Sequence, residues 1–187
     1  MQKPLAITAD DLDRKLSRFL YRWAWVRAKN MPHFARRFCE QFRLTELPRD
    51  PFSILPNTFG IELERETLGR ATAAQRIRIN GSYTIQHTAH RRTEQITLSL
   101  WHEFAEIMFA HPRFPSRIDP ERECRLATLF AVNVMMPEAD LRAAAEDVGH
   151  PDRDDKTVVL ASRFSVSVSA MRLRLAELGL KANRYVR

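Results

Sequence analysis

The 187-residue sequence has few cysteines and no long hydrophobic run. Its two cysteines, Cys39 and Cys124, are too sparse for a disulfide framework in a chain of this size, which favours a reducing compartment. Basic residues interrupt the apolar ones near the amino terminus, so we expect neither a signal peptide nor a membrane span there. Both absences predict a cytoplasmic protein that is not bound to a membrane. The interrupting residues are Arg14, Lys15, Arg18, Arg22 and Arg27.

The acidic run at residues 147–155 lacks the features of a calcium-binding loop. Asp152, Asp154 and Asp155 suggest a calcium loop, but the run has neither the glycine nor the distal glutamate of a helix-loop-helix calcium site. We therefore interpret it as a solvated, turn-forming linker.

The composition allows a folded domain with a basic surface. Hydrophobic residues make up 44% of the chain, which is enough for one core. Lysine and arginine number 30 against 23 acidic residues, for a formal charge of +7 and an isoelectric point near 10.0. This charge permits binding to nucleic acid or to an acidic partner.

Residues 98–112, LSLWHEFAEIMFAHP, contain candidate metal ligands. His102 and Glu106 are four positions apart and so share one face of a helix, where they can bind one ion. Glu103 is the candidate general base, directed toward the attacking water. The sequence differs from the zinc-peptidase pattern His-Glu-x-x-His because Glu106 replaces the second histidine. The alternative is an amphipathic core helix in which His102 is merely hydrogen-bonded.

The altered donor set affects the choice of metal. Imidazole and carboxylate are both zinc ligands, and a catalytic site needs three protein ligands and one open position. A carboxylate in place of an imidazole should raise the pKa of the bound water and favour harder ions such as manganese or iron. We therefore predict Zn²⁺, or a harder divalent ion such as Mn²⁺.

Two further segments accompany this motif, PERECRLATLFAVNVMMP at residues 120–137 and LASRFSVSVSAMRLRLAELGL at residues 160–180. Together the three resemble the ImmA/IrrE family of metallopeptidases over roughly Ile77 to Leu180. In that family a second helix of the form Glu-x-x-Ala-x-x-Phe-Ala-x-x-Leu-Leu-Met-Pro begins with the third metal ligand. A further histidine often stands where His111 does.

The resemblance implies an α+β, zincin-like metallopeptidase domain with a small antiparallel sheet, active-site helices and a carboxy-terminal helix-turn-helix-like hairpin. It also implies a metal-dependent endopeptidase that cleaves a helix-turn-helix repressor governing a mobile element or a stress response. The altered ligand leaves an alternative open, a catalytically inactive relative that acts as a protein- or DNA-binding regulatory module.

The third ligand is ambiguous. Alignment on Phe130-Ala131 and Met136-Pro137 puts the family's ligand glutamate at Cys124. A thiolate is a competent zinc ligand, but it would form an unusual set with a carboxylate. We prefer Glu123, then Glu121, then Cys124. The alternative for both glutamates is a solvated first helical turn that complements the helix dipole.

A proline-rich join separates the first fifty residues from the part of the chain that contains the motif. Apolar residues at helical spacing predict helices in the first fifty residues, and arginines there alternate with Phe34, Phe38 and Phe42. These residues form either a nucleic-acid surface or, as we favour, a core stripe backed by a solvated face. A proline-rich join follows, so we predict segments at 1–50 (helical extension), 51–150 (peptidase-like core) and 151–187 (helical hairpin packed on the core).

Short alternating runs then predict an antiparallel sheet whose edge receives extended substrate. The dipeptide Asn80-Gly81 predicts a hairpin turn between two of the runs. The runs are residues 60–64, 76–80, 83–87 and 95–99.

The carboxy-terminal region has helix-turn-helix-like spacing around Phe164–Ser167. Arg172, Arg174 and Lys181 suggest DNA binding, whereas the apolar residues suggest a packed hairpin. We expect at most weak, non-specific binding to nucleic acid. The residues predicted to be buried in either case are Leu160, Phe164, Val166, Ala170, Leu173 and Leu178.

Overall fold

A computed structural model describes residues 9–23, 25–69, 72–79, 82–114, 119–148 and 153–180. The helices are α1 (Ala9–Leu20), α2 (Met31–Gln41), α3 (Pro51–Ile54), α4 (Thr93–Phe109), α5 (Pro120–Met135), α6 (Glu138–Asp147), α7 (Arg153–Arg163) and α8 (Val168–Glu177). The strands are β1 (Glu62–Glu66), β2 (Ala74–Ile79) and β3 (Ser82–Thr88). This is the predicted α+β class.

The sheet has the strand order β1-β3-β2. Strands β2 and β3 are antiparallel, as predicted, with Ile77 opposite Thr84. Strand β1 runs parallel to β3, with Leu63 opposite Ile85, so the prediction of a wholly antiparallel sheet was wrong. Strand β2 occupies one edge of β3, so β1 pairs with the other edge. The predicted turn at Asn80-Gly81 lies outside the described residues.

The predicted strand at residues 95–99 was also wrong, because these residues form the start of α4. Ile96 and Leu100 are buried one helical turn apart, and the backbone N–H of Arg92 donates to the side chain of Gln95 at 3.2 Å. A short alternating run at the beginning of a helix has the same sequence pattern as a strand.

Helix α2 of the amino-terminal segment packs directly on α4 and α5. Phe38 lies 5.7 Å from Phe104 of α4 and 5.0 Å from Phe130 of α5, measured between ring centroids. The prediction of an aromatic core stripe in α2 is therefore confirmed. Buried side chains from all three predicted segments join one hydrophobic cluster, and the division at residues 50 and 150 stays a prediction.

Two buried arginines, one just before α3 and one in α8, form hydrogen bonds near the carboxy-terminal end of α5. Arg49 donates to the backbone carbonyls of Leu44 at 2.7 Å and Val134 at 2.6 Å. Arg174 of α8 donates to the carbonyl of Met136 at 3.2 Å and to the side chain of Asn133 at 2.9 Å. Neither arginine is available to a nucleic acid.

Helices α7 and α8 form the predicted hairpin, and the hydroxyl of Ser167 caps α8 by accepting from the N–H of Ala170 at 3.2 Å. Leu160 and Phe164 are buried as predicted, whereas Leu173 is 73% exposed, contrary to prediction. Arg172 is exposed, and Lys181 lies outside the described residues. Within the described ranges, no helix is both long and apolar enough to cross a membrane.

Candidate metal centre

Helices α4 and α5 present three candidate metal ligands at a shared cleft. The apolar face of α4, including Leu100, Trp101 and Phe104, is fully buried, and this fixes the rotation of the helix about its axis. The side chains of His102, Glu103 and Glu106 flank this face and are therefore mostly buried at the edge of the core.

The candidate ligand atoms lie close together. One atom from each of His102, Glu106 and Cys124 lies within 4.8 Å of the other two. His102 Nε2 is 3.2 Å from Glu106 Oε1 and 3.9 Å from Cys124 Sγ. The sequence prediction that His102 and Glu106 share a site thus has a geometric counterpart.

The hydrogen bonds around His102 favour the tautomer with the proton on Nδ1. The Thr128 hydroxyl donates to the carbonyl of Cys124 at 3.0 Å, so its oxygen accepts from His102 Nδ1 at 3.2 Å. With the proton on Nδ1, the lone pair of Nε2 faces Glu106. A histidine that binds a metal ordinarily donates its other ring N–H in this way.

The electrostatic environment keeps His102 neutral. Burial lowers the pKa of His102, and the nearby positive charge of Arg76 lowers it further. A neutral imidazole nitrogen and a carboxylate oxygen that face each other are both acceptors, so their arrangement favours a cation between them. The donor set therefore fits a divalent metal ion.

Glu103 lies beside the three candidate ligands. Its Oε2 accepts from the backbone N–H of Arg76 at 3.0 Å and from the Arg76 guanidinium at 3.4 Å. Burial raises the pKa of Glu103, and the charge and hydrogen bonds of Arg76 oppose that rise. A carboxyl with a raised pKa is suited to taking up and returning a proton.

Strand β2 forms the opposite side of the cleft. Arg76 of this strand forms ion pairs with both Glu103 and Glu106. A cavity of about 370 Å³ opens here and is lined by His102 and Glu103. Its other lining residues are Thr72, Ala73, Ala74, Arg91, Leu98, Ser99 and Thr128.

Glu123, which we predicted as the third ligand, is not among the described residues grouped with His102. Cys124 occupies that place, and Glu121 is exposed in the first turn of α5. Adjacent residues on a helix point about 100° apart, which separates Glu123 from Cys124. The identity of the third ligand stays a prediction for metal-binding measurements.

His111, at the position of the family's further histidine, lies outside this group. Its Nε2 is 2.9 Å from Asp13 Oδ1, and its Nδ1 accepts from the backbone N–H of Arg113 at 3.0 Å. His111 thus joins the end of α4 to α1.

Sequence reasoning did not identify Arg76 or Thr128. Thr128 follows Cys124 by four positions, so the spacing on α5 was a usable signal for a shared face. Arg76 reaches the site through the packing of β2 against α4, and no local pattern indicates that contact.

Comparison with known proteins agrees with this geometry. Residues 57–176 match the peptidase family model described as the IrrE N-terminal-like domain, and the chain belongs to that family. The structure is similar to that of a Mycobacterium tuberculosis transcriptional regulator, with a TM-score of 0.55, 18% identity, and coverage of 88% of this chain and 51% of the other. The chain thus spans about half the length of that regulator and shares its fold. No curated protein matches the chain.

Membership of this metallopeptidase family implies a divalent metal. His102, Glu106 and Cys124 are the residues in the described part of the chain whose geometry fits one.

Proposed function

We propose that this protein is a metal-dependent endopeptidase of the ImmA/IrrE type that cleaves a regulatory protein, with a helix-turn-helix repressor as the expected substrate. The observation that supports this most directly is the group formed by His102 Nε2, Glu106 Oε1 and Cys124 Sγ, whose ligand atoms lie within 4.8 Å of one another. Imidazole, carboxylate and thiolate are all ligands that a divalent ion such as zinc accepts.

The chemistry follows from the positions of the side chains. His102, Glu106 and Cys124 would hold the ion, with Glu123 as the alternative third ligand. A divalent ion there would polarise the peptide carbonyl and lower the pKa of the attacking water. Glu103, next to His102 in the same cavity, takes the proton from the water and returns it to the leaving amine.

The edge position of β2 supports a mode of substrate binding. Among the described strands, β2 pairs with β3 alone, and its residue Arg76 contacts the site. An extended peptide added along the free edge of β2 would run past Glu103. The Arg76 guanidinium pairs with Glu103 and Glu106 but has further N–H donors, which can bind a substrate carbonyl or carboxylate.

Mapping of the natural cleavage site tests the proposal and identifies the substrate in the same experiment. Wild-type protein and Glu103→Gln are produced in the host, and newly formed protein amino termini are compared by mass spectrometry. We expect a cleavage product, from a transcriptional repressor, that occurs with wild type alone. The Gln variant should still bind metal, because Glu103 is not a proposed ligand.

One observation favours a second candidate, a non-catalytic regulatory module. Arg76 already pairs with both the proposed base and a proposed ligand, as a permanent salt bridge would in a relative that has lost its metal. Identical amino termini from wild type and Glu103→Gln, together with no retained ion after desalting, would support this module and contradict the peptidase.

A further inference from the structure

The positive charge of the chain is concentrated in one segment. Residues 14–43 contain nine lysines and arginines and a single acidic residue, Glu40. This gives a net charge of +8, against +7 for the whole chain, so the remaining residues are close to neutral. The excess positive charge therefore lies between the second half of α1 and Arg43, because the first half of α1 carries Asp10, Asp11 and Asp13.

Exposed aromatic rings occur in the same segment. Tyr21 is 80% exposed and Trp25 is 46% exposed, and they are the aromatic members of the set of exposed large hydrophobic residues in the described ranges. The guanidinium of Arg27 lies 4.9 Å from the centroid of the Trp25 ring. Burial does not explain these two rings, whereas Phe34 and Phe38 are buried in the core.

The connection that carries Trp25 is held in shape by Asn30. The Asn30 side chain accepts from the backbone N–H of Arg27 at 2.7 Å and donates to the carbonyl of Trp25 at 3.3 Å. Trp25 and Arg27 are thus positioned before any partner binds, which lowers the entropic cost of binding.

A cavity of about 260 Å³ lies between α1 and α2, and it is lined by Arg22 and Trp23, which come between Tyr21 and Trp25 in the chain. Arg22, His33 and Arg37 line it, and no carboxylate does so among the described residues. Glu40 pairs with Arg37 at 2.6 Å, but a guanidinium has further donors. The remaining lining residues are Phe19 and Gln41.

We propose that this α1–α2 surface binds single-stranded nucleic acid, with the arginines contacting phosphates and the two exposed rings stacking on bases. The surface is defined by Tyr21, Arg22, Trp25, Arg27, His33 and Arg37. Cationic grooves with exposed aromatic side chains are the general solution for single strands, because every base has a face available for stacking. A duplex keeps its bases stacked and would leave both rings without a partner.

An acidic protein is the competing occupant, and the charge pattern argues against it. Protein interfaces combine anchoring residues with charges of both signs at the rim. This surface has one carboxylate among its cations, which suits a partner with regularly repeated negative charge. Its cavity also shares no lining residue with the cavity at the metal site, so the two sites can act independently.

The test is fluorescence anisotropy with the full chain and a labelled oligothymidylate of about 15 nucleotides, within the general range of site sizes for single strands. Tyr21→Ala with Trp25→Ala should weaken binding by about tenfold or more and leave the salt dependence unchanged. Arg22→Ser with Arg27→Ser should weaken binding and reduce the log-log salt slope by about 1.4, one phosphate for each arginine.

Two controls accompany these variants. Arg163→Ser with Arg172→Ser removes the same charge from exposed positions on α7 and α8 and should leave binding unchanged. His102→Ala should also bind the oligonucleotide like wild type, because the metal site is separate. Equal melting temperatures would show that the exposed substitutions preserve the fold.

Three results would overturn the proposal. The first is a duplex of the same length that binds as tightly as the single strand. The second is full binding by the variant that lacks both rings. The third is displacement of the oligonucleotide by polyglutamate at equal charge concentration, which would assign the surface to an acidic protein.

Discussion

The guanidinium of Arg76 contacts the carboxylate of Glu106 and also lies 3.4 Å from Glu103 Oε2. A single cation from β2 is thus shared between a proposed metal ligand and the proposed general base. These groups are mostly buried, since the side chains of Glu103 and Glu106 are each only 14% exposed. A divalent ion at Glu106 would lie near this guanidinium, and like charges repel more strongly where water is excluded.

We therefore predict that Arg76→Ala increases the affinity for Zn²⁺ by about three- to tenfold, the size expected for a partly buried charge interaction. Competition with a chromogenic chelator would measure it. Arg78→Ala is the matched control, because Arg78 lies on the same strand and faces the ring of Tyr83. Weaker zinc binding by the Arg76 variant would instead mean that Arg76 holds the carboxylates in position for the metal.

The third ligand can be identified by retained metal. His102→Ala should abolish stoichiometric binding of zinc or manganese after desalting, because it removes the central donor of the group. Cys124→Ser should have the same effect, and Glu123→Gln, its neighbour on the helix, should retain the ion. Elemental analysis measures both, and circular dichroism checks the fold. Loss of the ion from the Glu123 variant, with Cys124→Ser unaffected, would restore the sequence preference for Glu123.

Sequence predicted the parts of this site that depend on helical periodicity. The spacing of His102 and Glu106 determines that they share a face, wherever α4 packs. Alignment on Phe130-Ala131 likewise pointed to Cys124, although we preferred Glu123 on chemical grounds. The involvement of Arg76 and the parallel pairing of β1 depend on how distant segments pack. A single sequence has no local signal for either.

The same distinction applies to the arginines. No sequence pattern distinguishes Arg172 from Arg174, yet Arg172 is exposed and Arg174 is only 4% exposed. Which face of α8 is buried depends on the packing of α8 near the end of α5, and that packing also leaves Leu173 outside. For this reason the sequence left a DNA-binding role open for Arg174 as an alternative, and the burial of Arg174 excludes that role.

The buried arginine should be important for stability. Arg174→Ala leaves the side chain of Asn133 and the carbonyl of Met136 without their donor, and we expect it to reduce the free energy of unfolding by about 3 kcal/mol. Arg172→Ala on the same helix should change it by no more than about 0.5 kcal/mol. Urea denaturation of both variants measures the difference. Equal midpoints would show that the buried network contributes little.

The two cysteines should differ in reactivity and in their effect on pH dependence. Cys124 is exposed and Cys39 is buried. Burial raises the pKa of Cys39 from 9.0 to about 11. The nearby positive charge of Arg49 lowers this pKa, but by less than burial raises it. We therefore expect iodoacetamide to modify Cys124 in the metal-free native protein at neutral pH and to modify Cys39 only after denaturation. Mass spectrometry of the labelled protein measures both.

The shift in the pKa of Cys39 also predicts the direction of a pH effect on stability. Below pH 9 the thiol is protonated in both the folded and unfolded states, so its contribution is fully present. As the pH rises from 9.0 toward about 11, the unfolded thiol ionises first, and the free energy of unfolding falls. Lysines and tyrosines titrate in the same range, so the fall must be compared with that of Cys39→Ala. A fall of equal size in wild type and this variant would contradict the raised pKa.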